Sequence, residues 1–168
     1  MPDAALRSAL VEFFAAPPIT GIQHWYRDEP WFIQGGTWNL ADNGGWGALA
    51  YVHIDRAQES RITIPVETGQ KRIDYTVSLL IAYQYLIPSQ VPENGEDSWI
   101  GPLDQIVDAV KDRIRSDPTA GTGAGGTVFQ FGQGDNDIRH ERDLPRRTNG
   151  VIHNWTRLEV DVIEIITA

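Results

Sequence analysis

The glycines of one segment have the spacing of a cofactor-binding motif. Gly121, Gly123 and Gly126 match G-x-G-x-x-G, the pattern of loops that bind dinucleotides. Such a loop binds pyrophosphate only where a strand precedes it and a helix follows it, because the helix N-terminus faces the phosphates. Here a predicted helix precedes the glycines and a predicted strand follows them. We therefore interpret the segment as a loop, and no cofactor is predicted.

A second candidate is the polar run from Gly132 to Asn149, where carboxylates alternate with arginines. The acids are Asp135, Asp137, Glu141 and Asp143, and the arginines are Arg139, Arg142, Arg146 and Arg147. Carboxylates at this density could bind calcium or act as a catalytic pair, but the spacing of a calcium loop is missing. The arginines would neutralise the acids, so the run predicts a solvated arm of mixed charge and not a metal site.

No other residues have the spacing of a catalytic or metal-binding motif. The four histidines, His24, His53, His140 and His153, are scattered. G-x-S-x-G, H-E-x-x-H and P-loop patterns do not occur. Asn154-Trp155-Thr156 is a glycosylation sequon, but it falls within a predicted strand and is interpreted as accidental. We expect no enzymatic activity, no catalytic residue and no bound metal.

Composition limits the class of protein. The chain has 168 residues, 41% of them hydrophobic and 22% charged, which suits one domain over residues 1–168. It has no cysteine and a net charge of −9, which argues against nucleic-acid binding because that binding depends on Lys and Arg neutralising phosphates. Neither a signal peptide nor a membrane-spanning stretch is recognisable. These features predict a soluble cytoplasmic protein.

Two long strands are the strongest structural signal. Apolar residues occupy every second position from Ile73 to Ile87, within a predicted strand that begins at Arg72. Extended, this strand would reach about 50 Å. A second long strand is predicted from Ile152 to Thr167, with Ile152, Leu158, Val160 and Val162 on one face and Trp155, Arg157, Glu159 and Asp161 on the other.

The remaining elements are shorter. A first helix is predicted after an Asp3 N-cap, with one apolar stripe of Leu6, Leu10, Phe13 and Phe14 and an end at Pro17. Strands at 48–54 and 61–66 predict a hairpin linked by a polar run, and a short strand is predicted at 127–131. A second helix is predicted from Ser98 to Arg115, with Pro102 in its first turn. Its apolar residues at helical spacing are predicted to be buried: Trp99, Leu103, Ile106, Val107, Val110 and Ile114. This order predicts an α+β fold with a mostly antiparallel sheet, two long strands, two flanking helices and long loops.

Two long segments lack regular periodicity. Residues 19–47 form a predicted aromatic loop with four of the six tryptophans, and residues 119–150 form a predicted hairpin-like arm. Loops of this length inside a compact domain are usually functional. We expect the arm to order only against a partner.

The element order resembles the tail terminator proteins of long-tailed bacteriophages. The run from Ile73 to Ile81 and the helix containing Trp99, Leu103, Ile106 and Val107 are similar to that family's central strand and second helix. The run from Thr156 to Ile166 is similar to its last strand. The resemblance covers Ala5 to Thr167. The chain departs from it in the tryptophan-rich insertion before Gly47 and in the long loops around Gly123 and Arg146.

The resemblance implies a virion protein assembled in the host cytoplasm. Six copies would form a ring at the head-proximal end of the tail tube, ending tube polymerisation and joining the tail to the head. The implied partners are the major tail tube protein and a neck or head-completion protein, with DNA passing through without specific binding. Because each copy carries −9, we expect a bore of net negative potential.

Candidate contacts with neighbouring copies or partners follow from aromatic anchors and exposed charges. They are Trp25, Trp31, Trp38, Trp46, Arg72, Tyr75, Arg139, Arg142, Arg146 and Arg147. Two alternatives stay open at this point: another neck or head–tail connector protein, and a small-ligand-binding or enzymatic α+β domain that uses the Trp25–Trp46 loop as a lid. The lid hypothesis requires polar groups that converge on one concave site.

Overall fold

The computed structural model describes residues 2–30, 38–61, 70–86, 100–119, 128–131 and 138–167. Within these residues, two helices and seven strands form an α+β fold, which confirms the predicted fold class. The elements are α1 (Pro2–Ala15), β1 (Ile22–Tyr26), β2 (Trp46–Arg61), β3 (Gln70–Leu86), α2 (Ile100–Ser116), β4 (Val128–Phe131), β5 (Arg139–Arg142), β6 (Arg146–Thr148) and β7 (Val151–Thr167).

Three long antiparallel strands form the centre of the sheet. β3 lies between β2 and β7 and pairs with β7 along its whole length, from Gln70 opposite Thr167 to Leu86 opposite Val151. The short strands β4, β5 and β6 follow one another along the outer edge of β7. β1 pairs in parallel with the first part of β2, so the sheet is mixed. The prediction of a mostly antiparallel sheet with two long strands is therefore confirmed only in part.

β2 corrects the predicted hairpin at 48–54 and 61–66. The polar run that was interpreted as a turn continues the strand, because residues 56–60 each pair with a residue of β3. A β-bulge between Ile54 and Arg56 leaves Asp55 as the extra residue, and such bulges are common at sheet edges. The predicted strand beyond Arg61 lies outside the described residues.

Both helices bury the stripes that their periodicity predicts. Leu6, Leu10 and Phe14 of α1 are fully buried. The buried residues of α2 are Leu103, Ile106, Val107, Val110 and Ile114, and Pro102 lies in its first turn. Asp3 lies inside α1 and does not precede it as an N-cap, while Trp99 lies outside the described residues.

The core occupies one face of the sheet. The odd positions of β3 from Ile73 to Tyr83 and the even positions of β7 from Leu158 to Val162 belong to one buried cluster with both helices. In a strand, successive side chains point to opposite faces, so the even positions of β3 and the odd positions of β7 face away from this core. We call this second side of the sheet the helix-free face, since neither described helix packs on it.

Arg113 joins the two helices. Its guanidinium donates hydrogen bonds to the carbonyl oxygens of Phe13, Ala16 and Pro17 at 3.1, 3.0 and 2.7 Å, and it lies 5.9 Å from the centre of the Phe13 ring. The last carbonyls of a helix lack partners within the helix, and a cation there also complements the helix dipole. One side chain of α2 therefore binds carbonyl oxygens in the last turn of α1 and just after it.

β1, β5 and β6 were not predicted. β1 lies within the segment interpreted as an aromatic loop, and β5 and β6 lie within the segment interpreted as an arm. Every residue of β5 and β6 is exposed, so neither strand has the apolar alternation by which strands are recognised. The remainder of the arm, at 120–127 and 132–137, lies outside the described residues, as do the glycines of the G-x-G-x-x-G pattern.

Candidate interaction surface

One end of the helix-free face is apolar. Leu49 pairs with Ala82 and Tyr51 pairs with Leu80, and on β7 Trp155 stands opposite Ala82. Leu49, Tyr51 and Ala82 are buried, whereas Trp155 is 41% exposed. The Trp155 ring packs edge-on against Tyr51 with 6.2 Å between ring centres. Trp155 is thus an anchored aromatic side chain that faces solvent.

The middle of the helix-free face is a polar network centred on Arg157. The Arg157 guanidinium donates to the Ser78 hydroxyl at 2.7 Å and to the Asp55 carboxylate at 2.9 Å. The Ser78 hydroxyl in turn donates to Asp55 at 2.5 Å. Ser78 is fully buried, so these bonds satisfy a hydroxyl that has lost its water. The network connects the bulge of β2 with β3 and β7.

The network continues toward the outer edge of β7. Arg157 also donates to Glu159 at 3.2 Å, and Arg139 on β5 donates to the other oxygen of Glu159 at 2.6 Å. Arg139 also lies 3.4 Å from Asp161, which accepts a bond from Thr76. Although partial burial would lower the pKa of Arg139, Glu159 and Asp161 raise it above its ordinary value. The two arginines of this network are therefore matched by carboxylates.

Beyond this network the face contains a shallow groove of about 420 Å³. Arg56 and Gln58 of β2, Arg72 and Asp74 of β3, and Asp161 of β7 contribute to its walls. Arg72 pairs with Asp74 at 2.7 Å, so this cation is also matched within the chain. The groove combines opposite charges and has no group of like charges that would select an anion or a cation.

The outer edge of β2 is the second feature of this surface. β1 pairs with β2 only as far as Tyr51, and among the described residues no strand pairs with the outer edge from Val52 to Arg61. These residues would span about 33 Å at the rise of a β-strand. An unpaired edge presents backbone N–H and C=O groups that another strand can bind. Arg56 and Glu59 on this edge are charged, and charges limit indiscriminate aggregation.

Trp25 and Tyr75, two of the proposed contact residues, lie in the core. Trp25 is 6% exposed and stacks on Phe14 with 4.8 Å between ring centres, and Tyr75 is 1% exposed. The Tyr75 hydroxyl donates to the buried Glu164 carboxylate at 2.6 Å. This corrects their interpretation as surface anchors, because the apolar phase of each strand turns them toward the helices.

Two other tryptophans of the predicted aromatic loop, Trp38 and Trp46, also contact the fold. Trp38 donates from its indole nitrogen to the Gly47 carbonyl oxygen at 3.2 Å. Trp46 packs against the core and lies so close to Gly21 that a Cβ there would be 2.3 Å from its ring. Trp31 lies outside the described residues. The described part of this segment therefore packs against the sheet, and it does not display the exposed aromatic lid that the ligand-binding alternative requires.

The four arginines of the predicted arm separate into two pairs. Arg139 binds Glu159 and Arg142 binds Asp104 of α2, both within the same chain, so pairing of these two with a partner's acids would compete with existing bonds. Arg146 and Arg147 are exposed, and neither forms an ion pair with another described residue. Of the four arginines that we expect to pair with a partner's acids, Arg146 and Arg147 are therefore the two without an ion pair to a described residue of their own chain.

A small ionic cluster lies at the end of β1. Asp28 contacts Arg7 at 2.7 Å and His53 at 3.4 Å. Burial alone would raise the pKa of Asp28, but the Glu29 backbone N–H, His53 and Arg7 together hold it below its ordinary value. Burial and the charges of Glu29 and Asp28 raise the pKa of the neighbouring Tyr51 hydroxyl. The cluster connects α1 to β2, and this arrangement is structural.

His140 on β5 lies near the first turns of α2. Partial burial and the charges of Lys111 and Arg142 lower its pKa, and they outweigh the opposite effect of Asp104 and Asp108. Across the part of the chain that the structure describes, no three His, Asp or Glu side chains lie close enough to bind a metal ion. In the same part, no helix is long and apolar enough to cross a membrane.

Comparison with known proteins gives no indication of function, so the functional proposal is based on this surface. Neither a protein-family model nor a curated protein sequence matches the chain. Sequence reasoning placed Trp155 on the polar face of the last strand but did not identify it as a contact residue. The sequence did indicate that Trp155 could be a contact residue, because a tryptophan is unusual on the solvent-facing side of a strand that also presents Arg157 and Glu159.

Proposed function

We propose that the protein is a virion structural protein that forms a closed ring at the head-proximal end of a phage tail tube. In this role it ends tube polymerisation and provides the surface to which the head binds. The observation that carries the proposal is the unpaired outer edge of β2, which borders a sheet face without a described helix. The resemblance to tail terminators supplies the specific role and the expected number of six copies.

A ring requires a heterologous interface, in which one patch of a subunit binds a different patch of the next. The two edges of the sheet are different patches of this kind. One edge is the long outer edge of β2, whereas the other is formed by the short, arginine-rich strands β5 and β6 along β7. An exposed edge can bind a neighbouring chain by strand addition, where main-chain hydrogen bonds give affinity and side chains give specificity.

The charges of the helix-free face fit passage of DNA without binding. Three of its arginines, at positions 72, 139 and 157, are each paired with a carboxylate of the same chain, whereas Arg56 donates to the side-chain oxygen of Gln58 at 3.0 Å. DNA binding gains free energy when protein cations replace the counterions condensed on the phosphates, and a paired arginine would first have to give up its carboxylate. The net charge of −9 adds repulsion at longer range. The negative bore stays a prediction.

Native mass spectrometry tests ring formation. We expect the purified protein, alone or after addition of tail tubes, to give a discrete assembly of six chains. A chain that stays monomeric in both conditions would contradict the proposal.

Two proline variants locate the interface. In an antiparallel strand, neighbouring residues direct their N–H groups to opposite sides, so of Ala57 and Gln58 one donates toward β3 and the other outward. Both Ala57→Pro and Gln58→Pro would be made. We expect the variant that removes the outward N–H to fold normally and fail to assemble. The variant that removes the N–H bound to β3 should lose stability. If the variant without the outward N–H folds and assembles normally, the β2 edge is not the interface. Whether the protein forms a ring is decided separately by native mass spectrometry.

A further inference from the structure

The helix-free face contains a small hollow beside Trp155. Its volume is about 220 Å³, and it is lined by Leu80, Glu141, Asp143, Trp155, Thr156 and Arg157. Pockets for drug-sized ligands usually occupy about 300–1,000 Å³ and enclose most of the ligand. The hollow is smaller and lies on an open sheet face, so its size suits a single side chain.

The walls of the hollow are held in place by the fold. The Trp155 ring packs against Tyr51, and the Asp143 backbone N–H donates to the Trp155 carbonyl oxygen at 2.9 Å. The Asn154 side chain, which is buried, donates to the Asp143 carbonyl oxygen at 2.6 Å. The segment after β5 is thereby fixed to β7, and Asp143 is kept next to the tryptophan ring. A preformed site loses less entropy on binding.

The charges around the hollow do not balance. Glu141 and Asp143 are exposed, and neither forms an ion pair with a described residue. Arg157 stands opposite Glu141 in the strand pairing, but its guanidinium is bound to Asp55, Ser78 and Glu159. The chain has fourteen lysines and arginines, and the structure describes the side chains of all of them except Arg61. Two carboxylates beside an exposed indole ring are therefore left without an ion pair to any of the thirteen lysine and arginine side chains that the structure describes.

We propose that this hollow binds an arginine or lysine side chain presented by a partner protein. The cation would lie over the Trp155 ring, where a cation is attracted to the negative face of the indole, and would pair with Glu141 and Asp143. Aromatic anchors with a polar rim are typical of the residues that dominate protein interfaces. The inference goes beyond the proposed function and does not depend on it, since all walls of the hollow belong to one chain.

The test is a titration followed by the indole N–H resonance of Trp155, which is assigned with the Trp155→Phe variant. The probe is the peptide acetyl-Gly-Arg-Gly-Arg-Gly-amide, and its control is the same peptide with citrulline, which is neutral but nearly the same shape. We expect the arginine peptide to shift this resonance in a saturable way in the millimolar range, and the citrulline peptide to have little effect. Equal shifts with both peptides would overturn the proposal.

Variants of the acids separate the hollow from general attraction to an acidic protein. Glu141→Gln combined with Asp143→Asn should weaken peptide binding about fivefold, the factor that two exposed ion pairs can supply together. The matched control is Glu12→Gln with Asp108→Asn, which removes two exposed acids from the helices and should leave binding almost unchanged. Equal weakening by both double variants would show nonspecific attraction and would overturn the proposal, whether or not the protein forms a ring.

Discussion

Replacing Arg157 tests the polar network of the helix-free face. Arg157→Met keeps an unbranched apolar stem but removes the guanidinium and its bonds to Ser78, Asp55 and Glu159. Bonds to charged groups contribute about 1.5–3 kcal/mol when buried, whereas exposed ion pairs contribute less than about 1 kcal/mol. The Ser78 bond is of the first kind, and the pairs from Arg157, which is 37% exposed, are closer to the second. We therefore expect a loss of about 2–3 kcal/mol in the free energy of unfolding.

Urea unfolding followed by far-ultraviolet circular dichroism measures this loss. With a slope of about 2 kcal/mol per molar urea, the midpoint should fall by roughly 1 to 1.5 M. The matched control is Arg139→Met, since Arg139 belongs to the same network but is 52% exposed and lies on a short edge strand. It should cost less than about 1 kcal/mol. The reasoning is refuted if the Arg157 variant unfolds within about 0.5 kcal/mol of the original protein, or if the two variants are equally destabilised.

Three further predictions concern other parts of the chain. Arg113→Ala should cost about 2 kcal/mol in urea unfolding, because three carbonyl oxygens in the last turn of α1 and just after it lose their donor. Asp28→Asn should lower the free energy of unfolding at neutral pH. The difference in free energy between variant and original protein should shrink as the pH falls below 3.8, the ordinary pKa of the group. The lowered pKa of Asp28 means that the fold favours the ionised carboxylate, which is lost on acidification. Arg146→Ser with Arg147→Ser should leave the midpoint of unfolding unchanged and lower the yield of head–tail joining in an in vitro assembly assay.

Controls make each of these outcomes decisive. Arg115→Ala removes an exposed cation from the same helix as Arg113 and should cost less than about 0.5 kcal/mol, so equal losses would refute the role given to Arg113. For Asp28, a difference that grows on acidification would show that the sign of the argument is wrong. For the two arginines of β6, normal joining would show that they are solvated surface residues.

Periodicity predicted the elements that bury a complete stripe. β3 and β7 were predicted within two residues of their ends, and α2 was predicted together with its five buried residues, because a long run of one period fits only one kind of regular element. The sequence could not indicate which residues of β2 are paired. The polar run from Asp55 to Ser60 lies at the sheet edge, where both faces of the strand are exposed, and its pairing with β3 depends on tertiary structure.

The candidate site was predicted less well than the fold. Trp25 and Tyr75 were interpreted as contact residues from their type. The alternation that identified β3 already places Tyr75 toward the core, whereas Trp25 lies in β1, which was not predicted. Arg139 and Arg142 were assigned to a partner because their acidic neighbours, Glu159 and Asp104, are distant in the sequence. Trp155, Glu141 and Asp143 meet only because β5 pairs with β7, and β5 has no apolar pattern that would have predicted this pairing.

Tube length is the most direct test of the central claim. The major tail tube protein that the proposal implies as a partner would be polymerised in the presence and absence of the purified protein, and tube ends and lengths would be recorded by electron microscopy. The account predicts that tubes stop growing when one end carries a ring of this protein, while the opposite end stays bare. Tubes that reach the same lengths with and without the protein, and that carry no ring at either end, would contradict it.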